Sequence, residues 1–331
     1  MVKRFVLQWH LSENCNLKCR HCYQDEHNTT TRLQYEQLLY IYKQFKKFLK
    51  KVNMQGHINI TGGEPLCNPY LFKILELIEK DEKLISFSIL TNGTLITDEI
   101  AKKIKSYNPS YVQVSLEGGK NVNDYIRGKG TYKKIANGVT NLRKNGIFTS
   151  ISFTATSLNY KEFPKVVKFA RKYDVNNVWS DRYIPLDKNK DIKLTLSHEQ
   201  TREYLNIMNR ERKKLSKLKE NHTTISMYRA VQFQMTNDFA YGCPAGDTLL
   251  TVMENGDLVP CRRMPIIVGN LFEKDIYDLY KNSKILIKLR ENNIPSDCSN
   301  CEHSETCHGG LKCLTYAIYN DFDHKDYGCN I

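Results

Sequence analysis

The chain has 331 residues, 40% of them hydrophobic, with a formal net charge of +13 and eleven cysteines, enough length and apolar content for one large core and a smaller second one. No run approaches the about 18 apolar residues of a membrane span, and the basic start MVKRFVLQWHLSENC lacks the apolar stretch and cleavage site of a secretory signal. A cytoplasmic protein is expected, and in that reducing compartment clustered cysteines point to metal or redox chemistry rather than to a disulfide framework.

Strand-like stretches rich in β-branched and aromatic residues occupy 4–12, 57–61, 85–91, 111–116, 148–156 and 177–184, and helical patterns fill 32–51, 69–81, 97–106, 131–145 and 161–173. Such alternation implies βαβ units and a parallel sheet, either an open barrel or a doubly wound sheet. Residues 187–242 break the alternation with one strong helix at 197–220, opened by a capping-box pattern in Ser197 and Gln200. This segment reads as a bridge between domains. From 243 onward, a β-hairpin is expected at 248–261 with its turn at Asn255-Gly256, followed by a helix at 275–291. So small a segment buries little apolar area, and metal ligation is its expected staple.

The unusual residues fall at the carboxyl ends of the expected strands, where parallel α/β folds bind ligands. Cys15, Cys19 and Cys22 follow the first strand, GGEP (Gly62 to Pro65) the second, Asn92-Gly93 the third, and Glu117-Gly118-Gly119 the fourth. The excess of Lys and Arg raises the question of a nucleic-acid partner. Much of it, however, lies in segments such as YKQFKKFLKKV (42–52), where a solvated helix face accounts for it. An acidic peptide or an acidic electron donor explains the remainder equally well, and RNA and membrane are set aside as partners.

Four thiolates are the usual complement of structural zinc and of a cubane iron-sulfur cluster. The first group offers three, and a zinc site would need His21 or His10 as a fourth ligand. A [4Fe-4S] cluster on three cysteines leaves one iron open for a substrate or cofactor, which points to catalysis rather than structure.

CNLKCRHC, with His21 at the position usually aromatic, resembles the signature of the radical S-adenosylmethionine enzymes. TGGEP (61–65), VSLEG (114–118) and DYIRGKGTYKKIANGVTNLRKNGI (124–147) resemble that family's later motifs. The resemblance implies a partial (β/α)6 TIM-like barrel. It also implies a cluster on Cys15, Cys19 and Cys22 whose open iron binds S-adenosylmethionine, with His21, Gly62, Gly63, Glu64, Pro65, Asn92, Ser115, Glu117 and Arg127 around the cofactor. Glu64 suits the ammonium group, and Ser115 and Arg127 the carboxylate.

The C-terminal cysteines resemble a SPASM domain, which holds two auxiliary [4Fe-4S] clusters, for three clusters in all. The resemblance assigns Cys243, Cys261 and Cys313 to one cluster, and Cys298, Cys301, Cys307 and Cys329 to the other. CHGGLKC (307–313) departs from the family, whose usual spacing there is C-x3-C. The resulting division is a barrel core at 1–186, a helical bridge at 187–242 and a small, cluster-stapled α+β SPASM domain at 243–331.

The expected activity is that of a peptide maturase. It would abstract a hydrogen atom from a ribosomally made precursor peptide and install a thioether or carbon-carbon crosslink, or invert a stereocentre. Sulfatase maturases of this family use an aspartate after the hairpin-closing cysteine as base; Arg262 stands there and stays protonated, which disfavours that reading. An RNA-modifying radical enzyme and a non-catalytic electron-transfer protein are the remaining alternatives. Expected partners are a precursor peptide, a donor such as flavodoxin or ferredoxin, and a separate leader-binding protein. Cys67 reads as a small apolar loop residue or, more sharply, as a thiol that returns a hydrogen atom to a substrate radical. Asp181 and Arg182 read as residues facing substrate or as a salt-bridged rim.

Overall fold

The computed structural model describes residues 4–24, 32–186, 192–236 and 240–331. The expected boundary at 187 lies outside these residues. Strands and helices alternate from the start: β1 (Arg4–His10), α1 (Tyr35–Val52), β2 (Gln55–Thr61), α2 (Leu71–Lys80), β3 (Ile85–Thr91), α3 (Asp98–Ser106) and β4 (Val112–Ser115). Next come α4 (Lys120–Arg127), α5 (Thr131–Lys144), β5 (Thr149–Ala155), α6 (Phe163–Lys172), β6 (Asn177–Arg182), α7 (His198–Ser216) and β7 (Thr224–Ser226). The C-terminal region adds β8 (Leu249–Val252), β9 (Asp257–Val259), β10 (Gly269–Asn270), α8 (Ile276–Asn282), α9 (Lys284–Glu291), α10 (Ser304–Cys307) and α11 (Lys312–Tyr319).

Strands β1 to β7 pair in parallel and in sequence order. A doubly wound sheet reverses its strand order at a switch point. From β1 to β7 the order does not reverse, and the neighbours of β1 are β2 and β8 rather than β6 or β7. The sheet is therefore an open, partial barrel, with loops from every strand's carboxyl end gathered on one rim.

Alternation along β1 sets the two layers. Phe5, Leu7 and Trp9 are fully buried, and Phe5 packs edge-on against Phe48 of α1 at 4.7 Å between ring centroids. Apolar positions of α1 (Leu38, Ile41, Phe45, Phe48 and Leu49) complete that layer, each such side chain contributing about 1.5–3 kcal/mol by its burial. The opposite face of β1, carrying Gln8 and His10, lines the barrel interior.

Three features differ from the expectation. The bridge is not only helical, since it contributes β7 as the last parallel strand. Its main helix does open as expected: the Ser197 hydroxyl accepts from Gln200 N, and Gln200 accepts from Ser197 N. The expected hairpin forms, with β8 antiparallel to β9, but β8 also pairs in parallel with β1, Val6 opposite Leu249 through Trp9 opposite Val252. The ten-stranded sheet thus runs through all three segments. The single helix expected at 275–291 is two helices, broken at Ser283, whose extended ψ of 120° ends α8. Among the described residues no helix is long and apolar enough to cross a membrane.

Candidate active site

The loop after β1 carries Cys15, Cys19 and Cys22 and is tied to three neighbouring strand ends. After β2, Gly63 N donates to Ser12 O (2.7 Å) and Glu64 N to Asn14 O (2.8 Å). A side chain at either glycine of GGEP would collide with this loop: a Cβ on Gly62, whose φ is +139°, would lie 2.4 Å from Ser12 O, and one on Gly63 2.4 Å from Asn14 O. After β3, the Asn92 amide donates to Asn16 Oδ1 (2.8 Å) and approaches Cys15 Sγ at 3.9 Å. From α4, behind β4, Ile126 O accepts from Arg20 N at 2.8 Å, while Arg20 Nε reaches Tyr125 O and its guanidinium covers the Tyr125 ring.

Two buried carboxylates organise the rim. Glu64 accepts from Thr91 Oγ1 (2.7 Å), Asn92 N (2.7 Å) and Leu66 N (3.1 Å). An ionised carboxylate has about four acceptor sites, so one remains. Burial holds the Glu64 carboxyl above its ordinary range against those donors. Glu117 accepts two bonds from Arg127, through Nε at 3.2 Å and Nη2 at 2.6 Å, and one from Thr154 N. The His21 ring also lies 3.5 Å from it. Burial opposes its charge, but Arg127 and His21 prevail and hold its carboxyl at about 2. Arg127 Nη1 then lies 3.9 Å from Cys19 Sγ, so the cation reaches the thiol group through a fixed ion pair. Among the described residues, none hydrogen-bonds to the side chain of Ser115 at the end of β4.

Burial, with Glu64, Cys19 and Cys22 nearby, pushes the Cys15 thiol up to about 12 despite its bond from Leu17 N. Burial raises Cys19 as well, and such thiols are costly as anions unless a positive centre compensates them. Around them His10 Nε2, Ser12 Oγ and His21 Nδ1 are buried without hydrogen-bond partners among the described residues. Soft thiolate donors with unmet polar atoms beside them fit an iron-sulfur cluster and a polar cofactor.

The C-terminal thiols fall into two sets of neighbours. Cys313 is raised by burial and then by Cys261 and Cys243, against the pull of Arg263. Cys307 is pushed up to about 12 by burial, Asp326, Cys329, Cys298 and Cys301, and Cys298, Cys301, Cys307 and Cys329 line one cavity. Among the described residues no three His, Cys, Asp or Glu side chains converge on a single-ion site.

Asp181 and Arg182, at the end of β6, both have partners from the C-terminal region. Arg182 makes a two-pronged pair with Asp326, both bonds 2.6 Å, with both residues buried. Asp181 pairs with Arg263 Nη1 at 2.6 Å. Cys67 is half-buried on the 3-10 turn Pro65–Cys67, and burial, with Glu64 nearby, raises its thiol. Sequence reasoning passed over Thr91, Thr154, Arg263 and Asp326; only Arg263 had a signal, as the second arginine of PCRRMP.

Residues 9–170 match the radical SAM superfamily, and residues 243–302 match the SPASM iron-sulfur cluster-binding domain. The chain is a radical SAM enzyme. Its two domains imply iron-sulfur clusters and S-adenosylmethionine. It is 26% identical to an AdoMet-dependent heme synthase of Methanosarcina barkeri, over 98% of this chain and 95% of that one. It is 25% identical to the mycofactocin maturase MftC of Mycobacterium tuberculosis, over 98% and 82%. In fold, this radical SAM enzyme resembles anSMEcpe with bound AdoMet and Cp18Cys peptide, with a TM-score of 0.81, 21% identity, and 98% and 93% of the two chains covered.

Proposed function

We propose that this radical SAM enzyme is a peptide maturase with a barrel core at 1–186, a bridge at 187–242 and an auxiliary-cluster domain at 243–331. Its substrate would be a ribosomally made precursor peptide. Three [4Fe-4S] clusters are assigned: one to Cys15, Cys19 and Cys22, one to Cys243, Cys261 and Cys313, and one to Cys298, Cys301, Cys307 and Cys329. When bound, the first cluster supplies an electron that splits S-adenosylmethionine into methionine and a 5'-deoxyadenosyl radical able to take a hydrogen atom from substrate.

The protein's own part is positioning. The remaining acceptor site of Glu64 would take the ammonium group of S-adenosylmethionine, and the Ser115 hydroxyl and the Arg127 N–H groups not used by Glu117 would take its carboxylate. Gly62 and Gly63 let the cysteine loop lie against the second strand's loop. Asn92 holds the loop by its own amide, and the Glu117 pair fixes where Arg127 stands. Electrons would come from a flavodoxin- or ferredoxin-type donor, and leader recognition from a separate protein or from the basic surface.

The observation that carries the reading is the three-thiol loop fastened to the ends of the second and third strands and to α4, on the rim where a parallel barrel does its chemistry. The test is anaerobic reconstitution with iron and sulfide, then dithionite, S-adenosylmethionine and the short peptides encoded beside the gene. Formation of 5'-deoxyadenosine with a mass change on one peptide is expected. Absence of 5'-deoxyadenosine would sink the enzyme reading in favour of electron transfer. A second reading, action on a tetrapyrrole, is favoured by the heme synthase relative; a mass change on a porphyrin with none on any peptide would establish it.

A further inference from the structure

Strand β6 ends on two ion pairs with the C-terminal region, and one of them stands between the two groups of thiols assigned there. Arg182 binds Asp326 through Nη1 and Nη2, each at 2.6 Å, and both side chains are buried. The same carboxylate accepts from Leu311 N at 2.9 Å and from Gly328 N at 2.8 Å. Leu311 caps α11, which carries Cys313. Gly328 precedes Cys329, whose own N–H donates to Asp326 O at 2.8 Å. One residue therefore holds a ligand-bearing segment of each group, and Arg182 ties it to the barrel.

Charges in a buried, low-dielectric place act strongly on their neighbours, and these two face different ways. Asp326, not Arg182, lines the cavity shared by Cys298, Cys301, Cys307 and Cys329. Burial raises the Cys307 thiol first, and Asp326 comes next. At Cys298, raised by burial and the neighbouring thiols, Asp297 adds more than Lys325 takes away. Arg182 has the other group beside it: burial weighs against its charge, while Asp326, Asp181 and Cys313 favour it. The second ion pair is oriented likewise, since Arg263, bound to Asp181 at 2.6 Å, is the charge that acts most on Cys313 against its burial. Lys312 and Arg229 also draw Cys243 down against its burial. The first group thus sits mainly among cations, and the second mainly among carboxylates.

We propose that Arg182 and Asp326 are a positioning pair for the two auxiliary clusters, raising the reduction potential of the one on Cys243, Cys261 and Cys313 and lowering that of the other. Both clusters belong to the proposed peptide maturase reading, on which this inference rests. Reduction adds an electron to a cluster, so a cation beside it favours the reduced form and a carboxylate the oxidised form. The raised cluster is the one whose loop touches the first cysteine loop: Arg262, next to Cys261, lies 3.5 Å from the centre of the ring of Tyr23, next to Cys22. The pair biases an electron held in the C-terminal region toward that cluster.

The test is a redox titration of the iron-loaded protein, followed by electron paramagnetic resonance. Cys15, Cys19 and Cys22 are replaced with Ala, so that only the auxiliary clusters give signals. The signal altered by Cys301→Ser marks the second cluster. Arg182→Gln with Asp326→Asn removes both charges, keeps an amide oxygen to accept from the backbone, and avoids the cost of stranding one buried ion. It should lower the first potential and raise the second, changing the ratio of the two reduction equilibria by about tenfold, or ~59 mV for one-electron couples. Arg182→Lys keeps both charges and should preserve the separation of the two potentials. If the double variant loses iron, Asp326→Asn alone replaces it, and both potentials should rise, the second by more. Potentials that stay put, or that move together by equal amounts, in variants with full iron would overturn the pair's role. Iron for one auxiliary cluster rather than two before either charge is changed would overturn the cluster assignment, and this inference with it.

Discussion

The cysteine loop after β1 and the thiols after residue 243 present the same ligand chemistry on opposite kinds of support. The loop is fastened by hydrogen bonds from Gly63, Glu64 and Asn92 and by one to Ile126 O, residues that a folded barrel already holds in place. The C-terminal thiols sit among helices of four to eight residues and a two-residue strand. Helices so short have little stability of their own. With the clusters assigned as proposed, the protein builds the first site and metal completes it, whereas in the second region metal becomes part of what holds the chain together.

The contrast can be broken most sharply by removing thiols. Replacing Cys15, Cys19 and Cys22 together with Ala should abolish 5'-deoxyadenosine formation, leave about two thirds of the iron, and keep the circular dichroism of the barrel. Replacing Cys298, Cys301, Cys307 and Cys329 should instead make the chain beyond 243 the first target of limited proteolysis, with the barrel fragment surviving. Equal protease resistance of the two variants would erase the distinction. Next in size, Arg182→Ala strands the buried Asp326 carboxylate and should cost about 3–5 kcal/mol, read as a lowered denaturation midpoint. Gly63→Ala pushes a methyl into Asn14 O and should lower iron loading of the first site severalfold with a smaller change in melting temperature. Cys67→Ala should change neither iron content nor product stereochemistry; an altered stereochemical outcome would make Cys67 a hydrogen donor.

Much of the barrel was legible because its strands carry β-branched runs and its helices keep one apolar face. The expected strand at 85–91 matches β3 residue for residue. Helix α4 was not legible: its eight residues, KNVNDYIR, lie between glycines and open at Gly119 with no side-chain cap. Strand β7, three residues long, is shorter than any periodicity can register. The hairpin was readable from Asn255-Gly256, but its partner β1 was not, because local pattern does not encode which distant strand will lie alongside. The same limit applies to the site. Cys15, Glu64 and Glu117 announced themselves by motif, whereas the pairing of Arg182 with Asp326 joins residues 144 apart.

Strand β8 lies on β1, yet the ribosome makes it about 240 residues later. At about 5–20 residues per second, one edge of the nascent sheet waits roughly 10–50 s for its neighbour. An uncovered strand edge is a template for pairing with another chain. The first strand of this protein is thus a guest of the translation machinery until its last third arrives, and slower synthesis should raise the share lost to aggregation.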